Sequence, residues 1–545
     1  MTPAMLSAPT HEGIVTTLCE HLADVFGVPP GEIDVERPMT DLGVGSLETV
    51  EAIAGASRAL RIRVPMADLT ASMNLVDLAD LLLLHHEIAR SAPPTERPDP
   101  ALDDERAAVL ARIKASQRRR AAYDHLTYDM FIGSASAEHG EIEHFNRWID
   151  DIMADGRYAF ESTHLEAQRP IVRVQRPDGE AFELINLSCY NYLGYSHHPE
   201  VIAAAKAALD TFGLGATSSP IASGTLAVHR QLEDELVDFF GLPDHGASLF
   251  SSGYAVNVGV ISAFMTPGSY VVCDRAAHMS ILEGAQLSRA HVRYFDHGDL
   301  AGLEAALAPI AGEGQRILVC IEGVYSADGD YGRVAETVAI ARRHGARVLV
   351  DEAHSMLLDG PGGRGVSAAQ GVLADVDLLV LTFSKAFAGV GGALVARRPI
   401  VRYVNWYARC RMFSCAMDPA VTGGILQALR LARSPDGDAR RARLHHNAAY
   451  VRDRLRGRVD LGQSTSWIIP VIFGAERLSI AVSDALQRKG LDAGILTFPA
   501  ASRGEARIRL FITSEHSRAE LDRAVEIILE TARELGFARG EEASP

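Results

Sequence analysis

"LTFSKAFAGVGG", residues 381–392, sets one lysine, Lys385, between a short apolar run and a loop of small residues. Lysine is almost never fully buried unless it is paired or reacting, and this stretch has no acid of its own. Just upstream, "VLVDEAHSMLLDG" (residues 348–360) ends an apolar run in Asp351-Glu352-Ala353-His354. The same sequence, DEAH, forms the magnesium box of helicases, but such an ATPase needs a G-x-x-x-x-G-K-[ST] phosphate loop. No Gly-Lys pair occurs anywhere in the chain. Around these two stretches, from about Phe182, short apolar runs ("SYVVCD", "RILVCIEGVYS", "VDLLVLTFSK") alternate with helical patterns such as "ETVAIARRHGA". Apolar strands separated by amphipathic helices predict an α/β domain with a parallel sheet covered on both faces. After about Pro419 the pattern mixes helices with shorter strands ("SWIIPVIFG", "ARIRLFIT"), which predicts a smaller α+β C-terminal domain.

At 545 residues the chain exceeds a single core and predicts two or three domains. A net charge of −17 leaves no basic surface for nucleic acid. The aliphatic runs, such as Leu81 to Leu84, fall far short of the roughly 20 residues that cross a bilayer. The six cysteines are scattered, with no CxxC pair and no metal-like spacing to histidine, so neither a disulfide framework nor a zinc site is expected. With no signal-peptide pattern at the N-terminus, a cytoplasmic enzyme acting on small molecules is the expectation.

"ARSAPPTERPDPALDDERAA", from Ala89, has four prolines and mixed charge and reads as an exposed linker over residues 91–120. Before it, residues 1–90 hold 13 acids against five arginines, a balance of −8. "ERPMTDLGVGSLETVEAIAGASRAL" places Ser46 after a glycine-rich turn and before a helix of period 3.6. A serine there also serves as a plain N-cap. With a helix before it ("IVTTLCEHLADVFGV") and another over Leu75 to Ile88, the block forms an all-α, four-helix module. It resembles an acyl carrier protein through "GVGSLE". That resemblance implies 4'-phosphopantetheine on Ser46, added by a phosphopantetheinyl transferase, and an acyl-loading enzyme as partner. Gly45 stands where the family usually has aspartate. Glu48 and Glu51 on the following helix would face basic partners.

Residues 121–545 carry the chemistry of Lys385. Pyridoxal 5'-phosphate (PLP) needs a lysine to hold its aldehyde and a carboxylate at the pyridine nitrogen. Lys385 and Asp351 suit these roles at the carboxyl ends of neighbouring parallel strands, where open α/β folds bind ligands. "LFSSGYAVN" runs from a strand through small residues into a helix, so N–H groups near Ser252, Gly253 and Tyr254 can meet a phosphate. His278 in "CDRAAHMSILEGAQ" can lie against a ring. "EGVYSADGD" puts Glu322, Ser326, Asp328 and Asp330 at another strand end, and Thr382 offers its hydroxyl to the phosphate.

In order, "NYLGYSHHP", "SGT" at 223–225, "FSSGYAVN", "EGVYSADGD", "DEAHS", "TFSKAF", "MFSCAMDP" and "ARIRLFIT" resemble the α-oxoamine synthases, from about Phe182 to Phe537. The resemblance implies a fold-type-I PLP enzyme with a mixed, mainly parallel sheet, its large domain over about 182–418 and a small domain over 419–545. It implies that Lys385 holds PLP, Asp351 pairs with the ring nitrogen, His354 contacts the ring oxygen O3' and His278 stacks on the ring. Ser252, Gly253, Tyr254 and Thr382 would hold the phosphate, joined by Ser414 and Cys415 from the second subunit of a homodimer with shared sites. Glu322 and Ser326 would complete the cofactor site. Arg509, in an Arg-x-Arg segment with Arg507, would clamp an amino-acid carboxylate, and Asn191 and Tyr192 would line the entrance. The implied reaction joins a small amino acid to an acyl thioester with loss of CO2, giving an α-aminoketone, with the fused carrier as acyl source. Aldol or aminotransfer chemistry on the same fold, or a synthase using free acyl-CoA with a carrier block that only docks, are the alternatives. Pro220, Cys415 and "TFPAASRG" depart from the family pattern, all near the substrate side.

Overall fold

The computed structural model describes residues 140–154, 157–177, 179–312, 314–497, 500–501 and 503–539, together with 14–16, 18–19, 35, 75–76, 78–79 and 82. Ser46, the helix expected to follow it and the linker lie outside the described residues. Those described near the N-terminus are helical at 14–16, 18–19, 75–76, 78–79 and 82, and Ile14, Leu18, Leu75, Leu78 and Leu82 are fully buried. Their spacing is that of helices with one apolar face.

The chain forms two compact units, one of Met1–Tyr158, Gly474–Ile480 and Thr497–Ala506, the other of Ala159–Phe473, Ala481–Leu496 and Arg507–Pro545. The second contains β1 (Thr163–His164), β2 (Ile171–Gln175) and β3 (Ala181–Asn186), then β4 (His245–Phe250), β5 (Tyr270–Asp274), β6 (His291–Phe295) and β7 (Ile317–Glu322). Next come β8 (Arg347–Asp351), β9 (Leu378–Thr382), β10 (Gly392–Arg397), β11 (Ile468–Gly474), β12 (Leu491–Asp492), β13 (Gly494–Leu496) and β14 (Ala506–Phe511). Seven strands make the main sheet in the order β4-β10-β9-β8-β7-β5-β6. Pairing from β9 through β6 is parallel, and β10 alone runs against both its neighbours. The sheet is therefore mixed and mainly parallel, as expected.

Strands β7 and β9 are buried along their whole length, which explains their unbroken apolar sequence: helices cover both faces. Helix α1 (Gly253–Phe264) lies on β4, β9 and β10, and α2 (Met279–Ser288) packs on α1. Val256, Val260, Ile261, Ile281, Leu318, Leu349, Val380 and Leu394 meet there in one core. Two smaller sheets complete the unit, β1-β2-β3-β12 and β11-β14-β13. Strand β3 pairs in parallel with β12, so chain from before Phe182 shares a sheet with the C-terminal region, a pairing that no local pattern announces.

Candidate active site

The ends of β7, β8 and β9 lie side by side: Glu322 is opposite Asp351, and Asp351 is opposite Val380, two residues before the end of β9. Thr382 closes β9 and Lys385 follows it by three residues. Between β8 and β9 the chain makes short turns and a four-residue helix, Val366–Ala369, instead of the long helix a parallel crossover usually carries. Glu352 explains this. It is buried and gathers bonds from Ser355, Val366 and Ser367, which tie the connection into a compact loop.

A tight turn presents Lys385, whose carbonyl accepts from Ala388 N at 2.8 Å, while Gly389 N donates to Phe383 O at 2.8 Å. Ala388 is left-handed at φ 60°, which costs a non-glycine residue about 1 kcal/mol. Although Lys385 is only half-buried as a residue, its amine is enclosed. Burial lowers its pKa to about 8, against the pull of Asp351 and Glu322 and with help from Arg509. The Tyr190 ring faces this amine with its centroid 5.9 Å away.

Asp351 is held at both oxygens, by Asn257 Nδ2 at 2.7 Å and by Ala353 N at 2.9 Å. Asn257 also donates to Ser280 Oγ at 3.0 Å, which lies 2.7 Å from His278 Nδ1, and the His278 backbone N–H donates to Glu322 at 2.7 Å. A continuous polar net thus joins Asp351 to Glu322 beneath the lysine. Ser280 N also donates to His278 Nδ1, which makes Nδ1 an acceptor and leaves the hydrogen of the neutral ring on Nε2. Burial lowers the His278 pKa, opposed by Asp351 and helped by Lys385 and Arg509. Burial, and then repulsion from Asp351, pushes the Glu322 carboxyl well above its ordinary range. Asn257 and Ser280 were not anticipated from sequence, although a lone amide in the apolar helix "GYAVNVGVISAF" is a signal that a buried partner exists.

Helix α1 begins at Gly253 with Ser252 as its N-cap, accepting from Ala255 N at 3.0 Å. A Cβ on Gly253 would lie 2.4 Å from Thr382 Oγ1. Glycine is therefore required for the helix N-terminus and the Thr382 hydroxyl to converge. The Tyr254 ring is half-exposed and stands edge-on to His278, centroids 6.1 Å apart.

His354 is buried, and burial, followed by Lys385, Arg509 and His278, depresses its pKa far below the ordinary value. Its Nδ1 is 2.8 Å from the Tyr192 hydroxyl and its carbonyl accepts from Trp467 Nε1. Tyr192 is fully buried, so it supports His354 from beneath instead of lining an entrance. Asn191 is likewise committed, donating to Gln168 O and accepting from Ser196 N. Tyr190, two residues earlier and less buried, takes the position facing the lysine.

Arg507 and Arg509 on β14 both reach the loop after β7, Arg507 to Asp328 at 2.6 Å and Arg509 to the Ser326 carbonyl at 3.2 Å. Arg509 also stacks over Phe511 at 5.1 Å. Ser326 therefore serves through its carbonyl, and Asp328 and Asp330 are engaged by Arg507 and His297. Ser414 and Cys415 follow the helix Arg409–Met412, with Cys415 exposed.

These groups fit PLP. An enclosed amine of lowered pKa, a carboxylate fixed at both oxygens, and a helix N-terminus joined by a threonine hydroxyl match its aldehyde, ring nitrogen and phosphate. Asn257 Oδ1 and Arg509 Nε, both buried, have no hydrogen-bond partner among the described residues, as groups awaiting a ligand do. Among the same residues no cluster of histidine, cysteine or carboxylate side chains could hold a metal ion, and no helix is long and apolar enough to cross a membrane.

Fold and site define a PLP-dependent enzyme of fold type I. Residues 183–528 match the model of the class I and II aminotransferases, and residues 16–82 match that of the phosphopantetheine attachment site. An 8-amino-7-oxononanoate synthase of Geobacter sulfurreducens is 36% identical over 360 residues, 66% of this chain and 91% of the relative. One from Salmonella paratyphi C is 38% identical over 64% of this chain and 89% of its own length. A serine palmitoyltransferase variant of S. paucimobilis, solved with a bound PLP–myriocin aldimine, superimposes with a TM-score of 0.68 at 32% identity, covering 72% of this chain and 99% of that one. The chain belongs to the class I and II aminotransferase family and, within it, to the α-oxoamine synthases, carrying a phosphopantetheine-attachment domain at its N-terminus. It is a PLP-dependent C-acyltransferase that condenses an amino acid with an acyl thioester and releases CO2.

Proposed function

We propose that the acyl thioester is delivered by the chain's own carrier block, on a phosphopantetheine arm at Ser46, to an amino acid held by Arg509. The observation that carries this reading is the union in one polypeptide of an attachment-site match over 16–82 and a synthase match over 183–528. A tethered donor reaches its acceptor at an effective concentration on the order of millimolar without new contacts.

Lys385 would hold PLP through its amine, Asp351 would face the pyridine nitrogen, and Ser252, Gly253, Tyr254 and Thr382 would hold the phosphate. When bound, PLP acts as an electron sink for the amino-acid α-carbon. Asn257 and Ala353 fix the Asp351 carboxylate as an acceptor, so it would favour a proton on the pyridine nitrogen. Lys385 Nζ, at about 8, would be a base matched to neutral pH and would take the α-proton. Arg509 holds the carboxylate with two parallel N–H groups. His278, its hydrogen on Nε2, donates to the oxyanion that develops at the thioester carbonyl. Tyr192 donates to His354 Nδ1, so that His354 Nε2–H is available to the ring oxygen. Glu322 accepts from the His278 N–H and so anchors that backbone. Ser414 and Cys415 would reach the phosphate of the second site in a homodimer. Among the described residues the cysteines form no disulfide, which suits a cytoplasmic setting. Glycine, alanine and serine are the candidate amino acids.

Gly45 favours a second reading, in which the block only docks and free acyl-CoA is the donor. Intact-mass measurement after incubation with CoA and a phosphopantetheinyl transferase separates the two. Gain of one phosphopantetheine in wild type and none in Ser46→Ala supports the tethered donor, and no gain in either contradicts it.

A further inference from the structure

A second polar cluster lies outside the chemistry just described. Asp274, at the end of β5 and almost wholly buried, collects four donors. They are Ala276 N at 2.8 Å, Gly298 N at 3.2 Å, the Tyr325 hydroxyl at 3.0 Å and His297 Nδ1 at 3.1 Å. The other ring nitrogen of His297, Nε2, is 2.9 Å from Asp330 Oδ2. Carboxylates accept and do not donate, so a ring with one at each nitrogen donates twice and is an imidazolium. Burial alone would lower the His297 pKa, but bonding to Asp274 and Asp330 outweighs it and carries it up to about 10.

One partner of this cation, Asp330, belongs to the loop that meets the substrate arginine, and the other, Asp274, ends β5. Tyr325 and Asp330 bracket the turn 326–329, closed by Tyr325 N to Asp330 O at 3.1 Å and by Gly329 N to Tyr325 O at 2.9 Å. Within that turn the Ser326 carbonyl accepts from Arg509. We infer that His297 is a positioning residue for the amino-acid substrate: by bridging Asp274 and Asp330 it pins the turn whose Ser326 carbonyl orients Arg509. This rests on the reading of Arg509 as the carboxylate clamp. His297 touches neither the lysine net nor the phosphate cradle, so its loss acts on amino-acid binding and spares cofactor retention. The Tyr325–Asp274 bond keeps the loop attached when His297 is replaced.

The test uses full-length holoenzyme titrated with glycine, L-alanine and L-serine, followed by cofactor absorbance. The variants are His297→Gln, Asp330→Asn, Arg509→Lys and His297→Gln combined with Arg509→Lys. A glutamine is neutral and carries both its donors on one nitrogen, so it cannot reproduce a cation that donates from two separate nitrogens. The expected result is a Kd raised about ten-fold in His297→Gln and in Asp330→Asn, the loss expected when a hydrogen bond to a charged group is disturbed. PLP content should be unchanged, kcat should stay within about two-fold, and the double variant should be little weaker than Arg509→Lys, as coupled residues behave. A Kd unchanged in His297→Gln while Arg509→Lys weakens binding overturns the role of His297 and leaves the clamp standing. An unchanged Kd in Arg509→Lys overturns the clamp and this inference with it. Should His297→Gln fail to fold, Asp330→Asn decides, and wild-type affinity there overturns the inference.

Discussion

Replacing Lys385 by methionine should stabilise the apoprotein at pH 7, by an amount that vanishes as the pH rises. The folded protein gives up the lysine proton near pH 8, whereas the ordinary value is 10.5. At about 1.4 kcal/mol per pH unit, enclosing the ammonium costs roughly 3 kcal/mol below pH 8. Residual solvent contact of the residue trims this to about 2 kcal/mol. The sign follows from proton counting. Between pH 8 and 10.5 the unfolded chain binds the proton and the folded one does not, so wild-type stability rises with pH across that window. Methionine has no such term. Urea denaturation of both apoproteins at pH 7, 8, 9 and 10 should show Lys385→Met ahead by about 2 kcal/mol at pH 7 and nearly level at pH 10. Groups whose titration Lys385 does not influence, His297 included, cancel in the difference. A gap that stays constant or widens with pH would refute the placement of Lys385 as an enclosed amine. The same lowering makes about a tenth of the amine neutral at pH 7, against about 3 in 10,000 for an ordinary lysine, so the rate of cofactor capture should rise with pH and level off above 8.

Asp351→Asn leaves a single acceptor oxygen for the two donors Asn257 Nδ2 and Ala353 N. It should cost about 1–3 kcal/mol of stability, read by thermal melting, and cut kcat about a hundredfold or more with PLP still bound. Gly253→Ala forces a methyl to 2.4 Å from Thr382 Oγ1; PLP affinity measured by equilibrium dialysis should fall about ten-fold, on the scale of a 1–3 kcal/mol overpacking cost. Ala388→Gly removes left-handed strain at φ 60° and should raise the urea midpoint of the apoprotein by the equivalent of up to about 1 kcal/mol, with kcat unchanged.

Long apolar runs disclosed β5, β7, β8 and β9 because strands buried on both faces have no polar alternation to blur them. Their order along the chain is enough to bring Asp351 and Lys385 to neighbouring strand ends. β10 was harder to read: "GALVAR" begins in small residues, and its reversal comes from the tight 383–391 turn, which local composition does not specify. The two-residue β12 carries no periodicity at all, so its pairing with β3 is decided by tertiary packing. Among site residues, those that touch the cofactor announce themselves as charged or small groups at strand ends. Those that orient them do not. Asn257 sits inside an apolar helix, Ser280 looks like an ordinary first-turn serine, and Tyr192 reads as an entrance residue until its full burial against His354 is known. Ser46 was legible only as a motif, and its surroundings lie outside the described residues.

The most direct measurement is borohydride reduction of the PLP-loaded protein followed by peptide mapping. A pyridoxyl group on Lys385 in wild type, absent from Lys385→Met, is the predicted result. A label on another lysine, or a protein that binds no PLP at all, would contradict the account at its base.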